Sequence, residues 1–289
     1  MRILIAAVFL QACVSTSAPS PDEAPVKPSE RVFELAGEDI VIMGDQGTGN
    51  DTQRQVAAGM GTWCKSHTCD FGIGLGDNFY FFGVKNTLDS QFATKFELMY
   101  EHLPFPFYMV LGNHDYFGSW EAQVNYKSMR WHMPHRYYKL STPKADIFML
   151  DIERFDIGQK NWLDMEMAGS AAFDAPKWRI VLSHRPTYSS GSHGDTEQVI
   201  KQILPILKKS KADFYLSGHD HHLEYIRRDN MNFLISGSAG QTSSISPGKY
   251  TVFAKSKPGF LFMDFSEGAV DISFVSRKAK VLYTKRFEK

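Results

Sequence analysis

Five short apolar runs in this chain each end in a cluster of residues able to bind a metal ion, and that pattern constrains the fold more than any other feature. The runs are Val41-Ile42-Met43-Gly44-Asp45-Gln46-Gly47, Ile73-Gly74-Leu75-Gly76-Asp77-Asn78-Phe79-Tyr80 and Met109-Val110-Leu111-Gly112-Asn113-His114-Asp115, followed by Ile180-Val181-Leu182-Ser183-His184 and Tyr215-Leu216-Ser217-Gly218-His219-Asp220-His221. One strand followed by a carboxylate is commonplace. Five in order, separated by stretches that can form crossover helices, predict Asp, Tyr, Asn and His side chains along one edge of a sheet. That edge, outside the carboxyl ends of parallel strands, is where open α/β sheets bind ligands.

A chain of 289 residues, 43% hydrophobic and 13% aromatic, can bury a sizeable core. The formal charge is +0, so no global field draws the protein to nucleic acid or acidic membranes. A phosphate-bearing ligand would have to be attracted locally, by metal ions and histidines. Residues 1–12 read as a leader: Met1-Arg2 is basic, and the apolar run 3–10 is too short to span a bilayer. Leu10-Gln11-Ala12-Cys13 resembles a bacterial lipobox, which would make Cys13 a lipidated N-terminus. The alternative is simple secretion with cleavage after Ala18, against which Pro19 counts. Residues 13–30, rich in Ser, Pro, Ala and charge, read as a flexible tether, and 31–289 as one catalytic domain without internal repeats. Cys64 and Cys69 either form a small local disulfide, as an exported protein allows, or stand as two unpaired thiols.

Strand character recurs near 39–43, 70–75, 106–111, 145–150, 178–183 and 212–216. Helical periodicity is clearest over 195–209, where Val199, Ile200, Ile203, Leu204 and Leu207 share a face; 51–65, 88–100 and 158–168 are weaker. After residue 221 the pattern changes to short strands at 223–227, 232–236, 260–265, 270–275 and 281–286. Alternating βα units followed by a strand-rich tail predict an α/β fold of four αββα layers: two mixed β-sheets packed face to face, with helices outside.

Asp45, Asp77, Tyr80, Asn113, His184, His219 and His221 together offer three ionisable oxygens, one amide oxygen and three imidazoles. That mixture is too hard for a thiolate zinc site and too rich in nitrogen for a calcium cage; it suits iron, zinc or manganese. Seven donors exceed one tetrahedral ion and suit two ions sharing a carboxylate, an arrangement able to clamp an in-line phosphoryl displacement from both sides.

The five blocks resemble those of the metallophosphoesterases, and within them the purple acid phosphatases. That family's pattern is Gly-Asp-x-Gly, Gly-Asp-x-x-Tyr, Gly-Asn-His-(Asp/Glu), Val-x-x-His and Gly-His-x-His, and every block is complete here. Ser128-Met129-Arg130-Trp131-His132-Met133-Pro134 and the Gly-Phe-Leu near residue 260 extend the likeness, which is greatest to the small tartrate-resistant type and covers about residues 36–288. It implies a calcineurin-like metallophosphoesterase fold. Many relatives begin with Asp-x-His, whose histidine binds the first metal. This chain has Gly47 there and a tyrosine three residues after Asp77, and a phenolate is a hard donor suited to a trivalent ion.

The resemblance implies Fe(III) held by Asp45, Tyr80 and His221, a divalent ion (Fe, Zn or Mn) held by Asn113, His184 and His219, and Asp77 bridging them. It implies in-line attack on phosphorus by a metal-bound hydroxide, with His114 as general acid for the leaving alcohol and His193 orienting substrate or leaving group. The expected activity is acid phosphomonoesterase, with a phosphodiesterase or nucleotide hydrolase as the alternative. A catalytically dead envelope binding protein would be expected to lack some donors, and none is missing. The expected setting is the bacterial periplasm or cell envelope, as a monomer acting on small phosphate esters and not nucleic acid, with membrane attachment through lipidated Cys13. Mammalian members of the small type carry a long exposed loop after the fourth core strand. Only residues 153–159 fill that place, which implies a more open site. His67, His102, His132 and His135 read as surface or packing residues, as do Trp63, Trp131, Trp162 and Trp178 in the core, and 240–250 as a border of the pocket.

Overall fold

The strand Ile40–Met43 is buried along its whole length, and its side chains alternate between two different cores. Ile40 and Ile42 join one apolar cluster, Val41 and Met43 another. The same alternation recurs in Ala145–Met149 and Trp178–Leu182, where Ile147, Met149, Ile180 and Leu182 join the first cluster and Phe148 and Val181 a third. The first cluster draws on both sheets and lies between them. The second and third lie beneath helices, the second under Asp51–Trp63 and the third under Ile157–Ser170 and Leu204–Lys209. Three apolar layers between four layers of secondary structure give the expected αββα sandwich.

The computed structural model describes residues 28–170 and 177–289. Expectations about the leader, Cys13 and most of the tether concern residues outside the described ones. One sheet has the order β15 (Val281–Glu288), β14 (Ala269–Ser276), β13 (Gly259–Ser266), β2 (Ile40–Met43), β3 (Phe71–Gly74), β4 (Phe107–Met109) and β5 (Trp131–His132). The other has β1 (Val32–Glu34), β6 (Tyr138–Ser141), β7 (Ala145–Met149), β8 (Trp178–Leu182), β9 (Phe214–Ser217), β11 (Met231–Ser236), β10 (Leu223–Arg228) and β12 (Thr251–Lys255). Strands β2 to β5 run parallel, as do β7, β8 and β9. Register brings Met43 level with Gly74, Gly74 with Met109, and Leu182 with Leu216, so the loops that follow leave each sheet at one height.

The expected single edge is therefore two edges. Asp45, Asp77 and Asn113 follow strands of the first sheet, His184, His219 and His221 strands of the second. Local sequence is the same in either sheet, so only the packing separates them. The helix expected over 195–209 is two, Glu197–Gln202 and Leu204–Lys209, because Pro205 has no N–H to continue the ladder. The helix expected over 88–100 contains a wide turn, Ala93–Glu97, ahead of Leu98–Tyr100. Strands β1, β5, β6 and β12 and the helix Trp120–Asn125 carry too short a pattern to be read in advance. Cys64 and Cys69 form a disulfide, which closes the question their spacing left open. Among the described residues no helix is long and apolar enough to cross a membrane.

Candidate metal centre

Three of the seven expected donors stand in the left-handed backbone region: Asp45 at φ 59°, Asp77 at φ 53° and His219 at φ 70°. Each follows a strand, and the turn throws its side chain back across the strand end. Asp and His tolerate this region better than most residues and can also bind metal, so both demands select the same types. Close approach between loops is the second requirement. A Cβ on Gly112 would lie 2.3 Å from the backbone nitrogen and Oδ1 of Asp77, so only glycine lets these two loops touch.

The loops then lock each other. The backbone N–H of His219 donates to Asp45 Oδ2 at 2.8 Å, and that of His114 to Asp77 Oδ1 at 2.9 Å. His184 Nδ1 lies 2.9 Å from the carbonyl oxygen of Leu75, to which it donates, so that Nε2 faces the site. Asp115, fully buried, accepts from the backbone of Gly112, Asn78 and Phe79 and ties the second and third blocks together.

All seven donors converge in two adjoining groups. In one, Tyr80 Oη lies 3.0 Å from Asp45 Oδ1 and 3.1 Å from His221 Nε2, and Asp45 Oδ1 lies 3.5 Å from His221 Nε2. In the other, His184 Nε2 lies 3.1 Å from Asn113 Oδ1, 3.2 Å from His219 Nδ1 and 3.4 Å from Asp77 Oδ2. Asp77 stands near both, because its charge also acts on the Tyr80 hydroxyl. Donor atoms of Asp45, Asp77 and His184 all lie within 4.8 Å of one another. An ion bound at about 2.1 Å to two donors at right angles holds those donors about 3.0 Å apart. The spacing is thus that of coordination polyhedra, and the residues fit a dinuclear metal group.

Electrostatics point the same way. Burial, then the charges of Asp45 and Asp77, push the Tyr80 hydroxyl far above its ordinary range, so a phenolate here requires a cation. Burial opposes a proton on His184, yet Asp77 beside it raises that imidazole to about 10. Burial opposes ionisation of Asp77 too, but His184 holds it well below the usual carboxylate range. Burial, then the charges of His184 and Arg185, press His219 down to about 2, which keeps one ring nitrogen free to bind. The centre therefore demands positive charge while refusing it on His219.

His114 and His193 stand at the rim rather than among the donors. His114 Nδ1 donates to the carbonyl oxygen of Phe81 at 2.9 Å, leaving Nε2 free, and its ring centroid is 4.5 Å from that of Tyr80. His193 Nδ1 lies 3.0 Å from Asp220 Oδ1, and its ring centroid is 4.3 Å from that of His219. Gln241 Nε2, 3.4 Å from His221 Nε2, puts segment 240–250 at the border, as expected. Two histidines outside the five blocks have packing partners of their own: His67 stacks on Trp63 at 3.7 Å, and His102 bonds the carbonyl oxygen of Ala57. Trp63, Trp131, Trp162 and Trp178 are buried.

Sequence reasoning missed Asp220, Arg185 and Glu153. Asp220 was visible as the polar residue between two donor histidines. Arg185 adjoins His184 in sequence, but its partner Glu153 lies 32 residues away.

The calcineurin-like phosphoesterase family profile matches residues 40–223. Purple acid phosphatase 7 of Arabidopsis thaliana is 33% identical over 234 residues, 70% of this chain and 70% of the relative. Tartrate-resistant acid phosphatase type 5 of Sus scrofa is 30% identical over 270 residues, 78% of each. Among solved structures, GAP50, described as the anchor in the inner membrane complex of Plasmodium, superposes with a TM-score of 0.76 at 26% identity, covering 86% of this chain and 88% of that one. A purple acid phosphatase from yellow lupin seeds shares the fold with a TM-score of 0.71 at 15% identity, covering 88% of this chain and 54% of that one.

Proposed function

The chain belongs to the calcineurin-like phosphoesterases, metal-dependent hydrolases with purple acid phosphatases among its homologues, and from that premise we propose an exported acid phosphatase acting on small phosphate monoesters. The observation that carries the reading is the convergence of seven donors from five loops at coordination spacing. Asp45, Tyr80 and His221 would hold Fe(III), Asn113, His184 and His219 a divalent ion, and Asp77 would serve both. When bound, the two ions supply Lewis-acid polarisation of the phosphoryl oxygens and acidify water.

The chain's own residues do the rest. His114 keeps its Nδ1 hydrogen on Phe81, so the transferable proton sits on Nε2, the atom free to protonate a leaving alcohol. His193 is oriented by Asp220 through Nδ1 and presents Nε2 to substrate. Its side chain is half exposed, which suits a group that meets the ester from solvent. Export is supported by the Cys64–Cys69 disulfide, since such bonds persist in oxidising compartments. A lipid on Cys13, an envelope location and a monomeric state belong to the same proposal.

The test is the visible spectrum with metal analysis. The wild-type protein should be coloured and carry two ions, and Tyr80→Phe should lose the band. A colourless wild-type protein, fully metallated and active, would refute the iron–phenolate site.

A further inference from the structure

One charged pair stands against the centre without belonging to the donor set. Arg185 directly follows His184 at the end of β8, and Glu153 lies in the short loop after β7. Glu153 grips one side of the guanidinium, with Nε to Oε1 at 2.6 Å and Nη2 to Oε2 at 3.1 Å. That fork leaves Nη1 turned inward, 3.2 Å from His219 Nε2. The backbone is held as well: the carbonyl oxygen of Arg185 accepts from the Tyr215 hydroxyl at 2.9 Å. Both side chains are part-buried, so the guanidinium forms a wall of the site rather than a free surface group.

Glu153 balances the charge of the guanidinium, but both of its oxygens are spent on the far side of the fork, so Nη1, which faces the centre, has no carboxylate to donate to. The contact with His219 cannot fill the need. An imidazole that binds metal through Nδ1, the atom facing His184, carries its hydrogen on Nε2, and Arg185 Nη1 then faces a donor instead of an acceptor. The acceptor the reaction brings is a phosphoryl oxygen. A monoester has three terminal oxygens and a diester two. The additional one is the oxygen that a guanidinium outside the donor set can take, and planar guanidinium groups suit phosphate well.

We propose that Arg185, positioned by Glu153, is a phosphate-contact residue that favours monoesters over diesters at this site. The inference rests on the phosphatase reading. The test titrates the metal-loaded full chain by calorimetry with phenylphosphonate and with its monomethyl ester. Arg185→Met should weaken phenylphosphonate about 10- to 50-fold and the monomethyl ester by less than about threefold. Arg185→Lys should recover only part of the loss. Glu153→Ala should cost a similar factor, and the double variant little more, because one residue acts through the other. The kcat/KM ratio of phenyl phosphate to methyl phenyl phosphate should fall in the same proportion. Equal losses on both ligands, no loss, or loss of an ion from Arg185→Met would overturn the proposal. If the wild-type protein turned over neither ester, the phosphatase reading would fail, and the titration would still decide the role of Arg185.

Discussion

Asp115→Asn asks whether one buried carboxylate holds two donor loops in place. Its oxygens accept from Gly112 N at 2.8 Å, Gln123 Nε2 at 2.9 Å, Asn78 N at 3.1 Å, Phe79 N at 3.2 Å and Asn78 Nδ2 at 3.3 Å. Asparagine keeps one acceptor and turns the other oxygen into a donor. In the place of Oδ1 the new amide would meet Gln123 Nε2, Phe79 N and Asn78 N; in that of Oδ2, Gly112 N and both Asn78 nitrogens. Gln123 cannot turn over to help, because its Oε1 already accepts from Asn78 Nδ2 at 3.1 Å. Asn78 is pinned in turn by Val110 O and Gln46 Nε2, each at 2.8 Å. With the amide in the place of Oδ2, Gly112 N–H loses its acceptor, and in the place of Oδ1 those of Gln123 Nε2 and Phe79 do. Counting the new amide itself, at least two buried donor groups go unpaired, at about 1–3 kcal/mol each, so the fold should lose about 4 kcal/mol. Burial, then the charge of Asp77, raises the Asp115 carboxyl to about 7, so the comparison belongs at pH 8, where the wild-type group is ionised. The assay is the urea midpoint of the metal-free proteins, with an unchanged slope. Because Asn78 and Gly112 adjoin Asp77 and Asn113, metal affinity should also fall about 10- to 100-fold. A loss under about 1 kcal/mol with normal metal binding would refute the reasoning.

Two further changes probe other parts of the argument. Burial, opposed by the Phe265 amide and reinforced by Asp264, Asp70 and Glu38, raises Asp39 from 3.8 to about 6. The folded state then holds the extra proton between those values, so this contribution is fully present below 3.8 and lost as pH rises through 6. After discounting for a group only half buried, Asp39→Asn should gain about 1 kcal/mol at pH 7.5 and nothing at pH 3.5. Midpoints that differ from wild type by the same amount at both pH values would contradict this. Gly47→Ala should cost about 2–3 kcal/mol and displace the Tyr80 loop, removing the visible band. Normal colour and metal content in that variant would show that the loops do not meet as described.

Much of the candidate centre was legible because each expected donor lies within a few residues of an apolar strand, and strand, turn and candidate ligand are all local. Asp45, Asp77, Asn113, His184, His219 and His221 needed no tertiary information beyond their order. What was hidden is what depends on packing. Sheet membership was one such feature, since β4 and β8 carry the same kind of signal yet belong to different sheets. The Arg185–Glu153 pair was another: a charged residue at a strand end ordinarily reads as solvated, and only the fold turns it inward.

Gly47 and Tyr80 show how packing ties together two residues that sequence could only note side by side. A Cβ on Gly47 would lie 2.2 Å from the carbonyl carbon and oxygen of Asn78 and 2.4 Å from the nitrogen of Phe79. The space beside the first strand-end loop is therefore filled by the backbone that leads to Tyr80. Hydrogen bonds seal the contact, from Gly47 N to Asp77 O at 3.1 Å and from Tyr80 N to Gly47 O at 2.9 Å. A side chain at 47 and this course of residues 78–80 exclude each other. A histidine donor at 47 and a tyrosine donor at 80 are thus alternatives for one volume, not independent choices. Glycine is the condition for the phenol to reach Asp45, where a phenolate donor would suit a hard, highly charged ion.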